Sequence, residues 1–244
     1  MEHKIIRVLI TGGASGLGGA LTRRFASTGD HKIYFTFNKS SDKAAQIEKE
    51  FPCAEGIACD FSDPNSLDQF LGRMSEMNLD VLVNNALTGM RTKHFHQSDP
   101  AEFLASFSDN VMPTLRITQQ AIKDFRKKKC GRIITVLTSY LINRPPIGLS
   151  EYVANKAYLL SLSRSWAVEN ARFNVTSNCV SPSMMRTSLT SHLDDRQIED
   201  IVNVNPLKRL VTPDEVADSV FFLSSASQQI NGVNLLINGG VDVV

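Results

Sequence analysis

The sequence lacks a surplus of either charge. Its 26 Lys and Arg residues are matched by 25 Asp and Glu residues, so the net charge is +1. Proteins that bind nucleic acids or membrane surfaces usually carry a basic surplus or a basic stripe, and we expect neither partner here. The densest basic run, 126–129, stands where a helix is predicted to end, and cations there complement the helix dipole.

Cysteines are few, and no apolar run is long enough to span a bilayer. The cysteines have neither metal-ligand nor redox spacing, and scattered free thiols suit a reducing compartment; they are Cys53, Cys59, Cys130 and Cys179. The apolar segment at 5–10 is too short and wrongly flanked for a signal peptide. We therefore expect a cytoplasmic protein.

The sequence also lacks a convincing set of metal ligands. His94 and His96 could be two ligands on one loop, but no third ligand accompanies them. We expect a surface loop and no bound metal.

What the sequence does contain is an alternation of short apolar runs, rich in β-branched residues, with longer amphipathic segments. Because parallel strands need crossover connections, this alternation predicts an α/β fold: a single-domain, doubly wound (Rossmann-type) parallel sheet of about seven strands with helices on both faces. The predicted strands are 5–10, 32–38, 56–59, 80–84, 132–138, 174–180 and 234–237, and the predicted helices lie near 16–28, 42–51, 64–77, 99–128, 151–171 and 213–226. With no internal repeat or linker, residues 1–244 are expected to form one domain.

Residues 181–210 form a polar and less regular segment with two proline breaks. The segment follows the carboxyl end of a predicted strand, where open α/β sheets place their ligands. A lid over the substrate is predicted there.

A glycine-rich turn follows the first predicted strand. Gly12, Gly16 and Gly18 are spaced as G-x-x-x-G-x-G, with Ser15 and Leu17 between them. Glycine allows a tight turn and close approach of the backbone to a pyrophosphate, and a helix N-terminus offers unpaired N–H groups. A glycine-rich turn without a ligand is the alternative, but the position after the first strand favours a dinucleotide site.

The end of the second strand favours NADP(H) over NAD(H). Sites that prefer NAD place a carboxylate there to bind the ribose 2′-hydroxyl, and the window 32–41 contains none. Asn38 and Lys39 provide instead a polar, cationic setting suited to a 2′-phosphate. The alternative for Lys39 is a solvent-exposed loop residue.

Polar residues also close the third and fourth predicted strands. Asp60, followed by Phe61, could accept a hydrogen bond from the adenine amino group. Asn84 could brace the loop beneath the dinucleotide, next to Ala86. Each polar residue could equally be a turn-forming Asp or Asn.

Ser139, Tyr152 and Lys156 form the most informative set. Tyr152 and Lys156 are four residues apart on a predicted helix and therefore share a face. An ammonium beside a phenol stabilises the phenolate, so we expect a lowered tyrosine pKa and a group able to exchange a proton with an alcohol or carbonyl oxygen. Ser139 would hydrogen-bond the same oxygen. A Tyr-x-x-x-Lys pair alone occurs by chance on many helices.

Taken together, these motifs resemble the short-chain dehydrogenase/reductase family along essentially the whole chain. The matching elements are the cofactor loop (Thr11, Gly12, Gly16, Gly18), the strand-four motif Asn84-Asn85-Ala86, the catalytic tetrad (Asn110, Ser139, Tyr152, Lys156), the nicotinamide-contacting segment (Pro182, Thr187) and the C-terminal Asn238-Gly239-Gly240.

The resemblance implies a role for each member of the tetrad. Tyr152 is expected to be the general acid/base, and Ser139 to orient and polarise the carbonyl. Lys156 is expected to lower the tyrosine pKa and to bind the nicotinamide ribose. Asn110 is expected to hold a water that links Lys156 to solvent. The family also implies a homotetramer or homodimer.

The chain departs from the family pattern at three positions. Leu87 follows Asn-Asn-Ala where glycine is usual, and Ser183 replaces the glycine of the usual Pro-Gly. Ser15 stands where many NADP-using relatives carry a basic residue. These departures concern affinity and leave every catalytic group in place.

The predicted function is an NADPH-dependent ketoreductase acting on a small-molecule or carrier-bound carbonyl. The short chain is most similar to the 3-oxoacyl-carrier-protein reductases of the family. One alternative is an enzyme acting on a sugar, polyol or other small alcohol. An alternative from another class is a non-catalytic protein that senses dinucleotides.

Overall fold

The computed structural model describes residues 5–142, 144–187, 190 and 194–243. Its centre is a seven-stranded sheet in the order β3-β2-β1-β4-β5-β6-β7, with parallel pairing at each of the six strand junctions. The strands are β1 Ile6–Ile10, β2 His31–Phe37, β3 Ala54–Ala58, β4 Val81–Asn84, β5 Gly131–Val136, β6 Val175–Pro182 and β7 Asn234–Ile237. The strand order reverses between β1 and β4, which opens a crevice at the carboxyl edge of the sheet.

Helices cover both faces of the sheet. They are α1 Gly16–Ala26, α2 Ser41–Glu50, α3 Pro64–Met74, α4 Pro100–Lys128, α5 Ser150–Asn170, α6 Asp195–Val204 and α7 Pro213–Ser225. Successive strand residues point to opposite faces, so Val8 and Ile10 pack under α1, α2 and α7 while Leu9 packs under α3, α4 and α5. An apolar core therefore packs on each face of the sheet, and a third, smaller cluster forms around Val111, Leu137, Leu159 and Cys179.

The predicted fold class is confirmed, and the strand ends differ from prediction by at most two residues. The segment 181–210 differs more, because it contains the ten-residue helix α6. The Asp194 carboxylate accepts a hydrogen bond from the Gln197 N–H at 2.8 Å, and the Gln197 side chain accepts one from the Asp194 N–H at 3.1 Å. This reciprocal cap starts a helix where the sequence analysis expected irregular chain. Part of the predicted lid, 188–189 and 191–193, lies outside the described residues.

Helix α7 supports α1, which carries the glycine-rich turn. Thr212 and Glu215 form a capping box at the start of α7. Further along α7, the Arg24 guanidinium of α1 lies 3.9 Å above the ring of Phe221, and the Phe25 and Phe221 ring centroids are 5.2 Å apart. Within the described ranges, none of the helices is both long enough and apolar enough to cross a membrane.

Candidate active site

A cavity of about 710 Å³ occupies the crevice at the carboxyl edge of the sheet. Its walls come from the segments that follow β1 to β6 and from the first turns of α1 and α5. The lining residues are 12, 14–18, 36–40, 59, 61, 85–90, 136–138, 140, 149, 152, 156, 182–185, 187 and 190. The volume is that of a site for a cofactor or substrate.

The glycine-rich turn is held by hydrogen bonds that place its backbone against the cavity. The Gly12 N–H donates to the Thr36 hydroxyl at 2.9 Å, and the Gly13 N–H donates to the Thr36 carbonyl at the same distance. The Thr22 hydroxyl donates to the Gly13 carbonyl at 2.8 Å. The turn is therefore fixed to β2 and α1 before any ligand binds.

The space and charge at this turn fit a dinucleotide pyrophosphate. A Cβ on Gly18 would lie 1.9 Å from the Gly12 carbonyl oxygen, so only glycine allows α1 to start this close to the turn. No side chain caps the start of α1, and its first turn carries no acidic residue. The α1 N–H groups are thus left for an anion, as a pyrophosphate requires. Ser15, Gly16 and Leu17 line the same part of the cavity.

At the end of β2, Asn38 and Lys39 line the cavity and are exposed. Asp60 does not line it, although Phe61 does. The Asp60 carboxylate accepts hydrogen bonds from the Ser62 N–H at 2.9 Å and the Ser62 hydroxyl at 2.7 Å. These bonds, with smaller contributions from Asn38 and Lys39, lower the Asp60 pKa. Asp60 therefore forms a turn here, and its contact with the adenine stays a prediction.

The brace beneath the turn is Asn85, where the sequence analysis expected Asn84. The Asn85 amide donates to the Thr11 carbonyl at 2.9 Å and to the Gly12 carbonyl at 3.3 Å. Asn84 is buried on the other side of the chain, where its amide donates to the Thr118 hydroxyl at 3.0 Å. Ala86, in contrast, lines the cavity as predicted. Only the second asparagine of the pair thus faces the dinucleotide turn.

Tyr152 and Lys156 both line the cavity from the first turns of α5. The Lys156 Nζ lies 5.8 Å from the centroid of the Tyr152 ring and donates a hydrogen bond to the Val136 carbonyl at 2.8 Å. Burial lowers the pKa of Lys156 to about 8. The free energy of hydration that a buried ammonium loses is larger than the free energy that a hydrogen bond to a neutral carbonyl restores.

The pKa of Tyr152 departs from expectation. The sequence analysis predicted a lowered value, whereas burial raises it to about 12, against a smaller opposing effect of a hydrogen bond with the Thr138 side chain. Loss of hydration penalises the phenolate more than the Thr138 side chain can compensate. Tyr152 therefore holds its proton at neutral pH.

The hydroxyl that acts to lower the pKa of Tyr152 belongs to Thr138. Thr138 and Ser139 are both buried, but of the two only Thr138 is among the lining residues. The sequence analysis assigned Ser139 by its spacing from Tyr152, and this assignment stays a prediction. It did not consider Thr138, whose hydroxyl lies one residue closer to β5.

Asn110 faces a second, small cavity beside the first. This space of about 20 Å³ is also lined by Tyr152, Asn155 and Lys156, and it is large enough for a water molecule. The Asn110 side-chain oxygen accepts hydrogen bonds from the Thr88 N–H at 2.7 Å and the Thr88 hydroxyl at 3.0 Å. Asn110 thus ties the loop after β4 to α4 while bordering the lysine.

The segment after β6 completes the wall. Pro182 and Thr187 line the cavity together with Ser183, and Leu87 lines it from the loop after β4. With Ser15, all three departures from the family pattern therefore lie where they can contact a ligand. Among the described residues, no group of three His, Cys, Asp or Glu side chains is placed to bind a metal ion.

Comparison with known proteins agrees with this geometry. A family model described as enoyl-(acyl carrier protein) reductase matches residues 12–242. The 3-oxoacyl-[acyl-carrier-protein] reductase MabA of Mycobacterium tuberculosis is 32% identical over 241 residues, which cover 96% of this chain and 92% of the relative.

Two solved structures show the same fold with a dinucleotide bound. A 3-ketoacyl-(acyl-carrier-protein) reductase from Brucella melitensis, complexed with NADH, is 26% identical, with a TM-score of 0.87 and coverage of 98% of this chain and 99% of that one. A short-chain dehydrogenase from Burkholderia cenocepacia J2315, complexed with NADP, is 25% identical, with a TM-score of 0.88 and full coverage of both chains. The chain therefore belongs to the short-chain dehydrogenase/reductase family and is an NAD(P)-dependent oxidoreductase of the ketoreductase type.

Proposed function

We propose that this enzyme uses NADPH to reduce the 3-oxo group of an acyl thioester to a 3-hydroxyl group. The observation that carries this proposal is an apolar wall in the cavity that Tyr152 also lines. Leu87, Met90, Met184 and Met185 line the same cavity as the tyrosine. Such side chains adapt to an acyl chain, whereas a sugar or polyol would need hydrogen-bonding partners there.

The residues that line the cavity fit a dinucleotide, and different residues would contact its different parts. Gly12, Ser15, Gly16, Leu17 and Gly18 would hold the pyrophosphate. Toward the other end, Ala86, Pro182, Thr187 and Lys156 would contact the nicotinamide riboside. The bound cofactor supplies a hydride to the carbonyl carbon of the substrate.

Tyr152 supplies the proton that this reduction requires. With its pKa raised to about 12, the phenol is protonated at neutral pH and can donate to the carbonyl oxygen as negative charge develops on it. The Lys156 ammonium would stabilise the resulting phenolate. The small cavity shared with Asn110 would allow the proton to be replaced from water.

Tyr152→Phe tests this role. Turnover of NADPH with acetoacetyl-CoA should fall by about 10²–10⁴-fold because the proton donor is lost. Binding of NADPH, followed by its fluorescence, should change little, since the ring remains. Retained turnover would refute the assigned role.

A substrate panel tests the acyl thioester. Acetoacetyl-CoA should be reduced faster than a keto-sugar acid or a small ketone, and crotonyl-CoA, which offers a C=C bond, should not be reduced. If the keto-sugar acid is reduced faster than acetoacetyl-CoA, the enzyme acts on a sugar or polyol and not on an acyl thioester. Silence with every compound would favour a non-catalytic dinucleotide sensor.

The preference for NADPH rests on Lys39, with Asn38 beside it. Lys39→Ala should weaken NADPH binding by about ten- to a hundredfold, the worth of one charge-assisted contact to a phosphate, and leave NADH binding nearly unchanged. Lys43→Ala, which removes an exposed lysine from α2, is the matched control. An equal effect of Lys39→Ala on both dinucleotides would overturn the preference.

The proposed setting is the cytoplasm, and the proposed assembly is a homotetramer or homodimer. The four cysteines are free thiols, which suits a reducing compartment. Cell fractionation tests the cytoplasmic location, and light scattering of the purified protein tests the assembly.

A further inference from the structure

Two residues with hydroxyl side chains follow β5, and either could hydrogen-bond the substrate's carbonyl oxygen. Thr138 and Ser139 stand fourteen and thirteen residues before Tyr152. Neighbouring residues of an extended chain point to opposite sides. Only one of the two hydroxyls can therefore face the reacting oxygen.

The backbone geometry decides between them. Thr138 still has extended φ and ψ angles, −155° and 145°, so the side-chain alternation of β5 continues through it. The chain then turns into a single 3₁₀ turn, Ser139–Leu141. Thr138 thus keeps the orientation set by the sheet, whereas Ser139 is the first residue of the turn.

The surroundings of the Thr138 hydroxyl match a substrate-binding group. Thr138 lines the cavity with Tyr152 and Lys156, and its side chain acts to lower the pKa of the Tyr152 phenol. Its oxygen also accepts from the Tyr140 N–H, at 3.4 Å. A hydroxyl has one proton and two lone pairs, so with its oxygen used as an acceptor the proton remains to be donated.

We infer that Thr138, and not Ser139, donates the hydrogen bond that holds the substrate's carbonyl oxygen next to Tyr152. This inference rests on the proposed ketone reduction and assigns one of its catalytic groups. As the oxygen gains negative charge, the bond from Thr138 strengthens and stabilises the transition state. Ser139 contributes to the buried turn behind the site.

Three variants separate the two hydroxyls. Thr138→Val removes the hydroxyl at nearly constant volume and should lower kcat with acetoacetyl-CoA by about 10²–10³-fold, the usual cost of losing one such donor. Thr138→Ser restores a hydroxyl and should recover most of the rate. Ser139→Ala should stay close to wild type. NADPH binding checks that each variant is folded.

A spectroscopic measurement decides the same question without turnover. In protein labelled with [13Cζ]tyrosine, four tyrosine signals are expected, and Tyr152→Phe identifies the one from Tyr152. Thr138→Val should shift that signal because the hydroxyl that influences the phenol is removed, and Ser139→Ala should leave it in place.

The opposite pattern overturns the inference. If Ser139→Ala lowers kcat and moves the Tyr152 signal while Thr138→Val does neither, Ser139 is the polarising residue. If wild-type enzyme reduces no compound in the panel, the substrate assignment fails, and the Tyr152 signal alone decides which hydroxyl meets the phenol.

Discussion

At the scale of single residues, the buried ammonium of Lys156 opposes folding. Its hydrogen-bond acceptor is the neutral Val136 carbonyl, and burial lowers its pKa to about 8. We expect Lys156→Met to raise the free energy of unfolding at neutral pH by about 1–3 kcal/mol while abolishing turnover. Urea denaturation measures the gain. Lys127→Met, at a side chain that is 81% exposed, should show none.

This gain depends on pH in a defined direction. The folded-state pKa of Lys156, about 8, lies below its ordinary value of 10.5, so the unfolded chain binds the proton more tightly between these values. Native stability contributed by this group therefore rises with pH across that window. Lys156→Met lacks the rise, and the two proteins should converge as pH increases. If the difference in free energy of unfolding between the two proteins stays constant across this pH range, Lys156 is not buried as a charged group.

Ketone reduction should have its own pH limit. As pH rises through about 8, Lys156 loses the charge that stabilises the phenolate, whereas Tyr152 stays protonated to about 12. We expect kcat for NADPH oxidation to decline through the lysine pKa. If kcat stays constant with pH until Tyr152 titrates, Tyr152 alone sets the pH limit of the reaction.

The sequence indicated Tyr152 and Lys156 because helical spacing alone places them on one face. It could not choose between Thr138 and Ser139, or between Asn84 and Asn85. Side-chain alternation is readable only while a strand continues, and β5 and β4 end at or just before these pairs. The pKa of Tyr152 was also beyond the sequence, because it depends on burial by several distant segments.

At the scale of elements, the start of α1 tolerates no side chain at Gly18. A Cβ there would overlap the Gly12 carbonyl, so Gly18→Ala should displace the turn and weaken dinucleotide binding by about a hundredfold or more. Titration with NADPH measures this loss. Gly72→Ala is the matched control, because no atom lies within 4 Å of its Cβ position on α3. It should stabilise the protein by about 0.5–1 kcal/mol.

Helix α7 depends on its N-terminal cap. The Thr212 hydroxyl accepts from the Glu215 N–H at 3.3 Å, and the Glu215 carboxylate accepts from the Thr212 N–H at 2.8 Å. Thr212→Ala should lower the free energy of unfolding by about 1 kcal/mol, measured in urea, and Thr212→Ser should retain the cap. Equal losses in both variants would show that the hydroxyl is not the stabilising group.

The elements were largely predictable, with α6 as the exception. Strands and long helices carry many repeats of their apolar pattern, which makes their existence clear. Helix α6 has only ten residues and none of them is fully buried, although Ile198, Ile201 and Val202 have the spacing of one apolar helix face. This short apolar pattern and the Asp194–Gln197 cap are its two helical signals.

At the scale of the whole molecule, the cavity joins both halves of the sheet. Its lining includes segments after β1 to β3 and segments after β4 to β6. NADPH at a hundredfold excess over its Kd should therefore stabilise one cooperative unfolding transition by about 2.7 kcal/mol. Calorimetry tests this expectation. Two unfolding transitions, with NADPH raising the temperature of only one, would show that the chain has two independently folding parts.

The reversal of strand order between β1 and β4 has an evolutionary consequence. Residues proposed to hold the adenosine end of the dinucleotide come before position 62, and the apolar wall proposed for the substrate comes after position 86. Substrate preference can therefore drift through changes in the later half of the gene while cofactor choice is inherited unaltered. Exchange of 183–210 for the corresponding stretch of a relative should transplant selectivity and keep the original nucleotide preference.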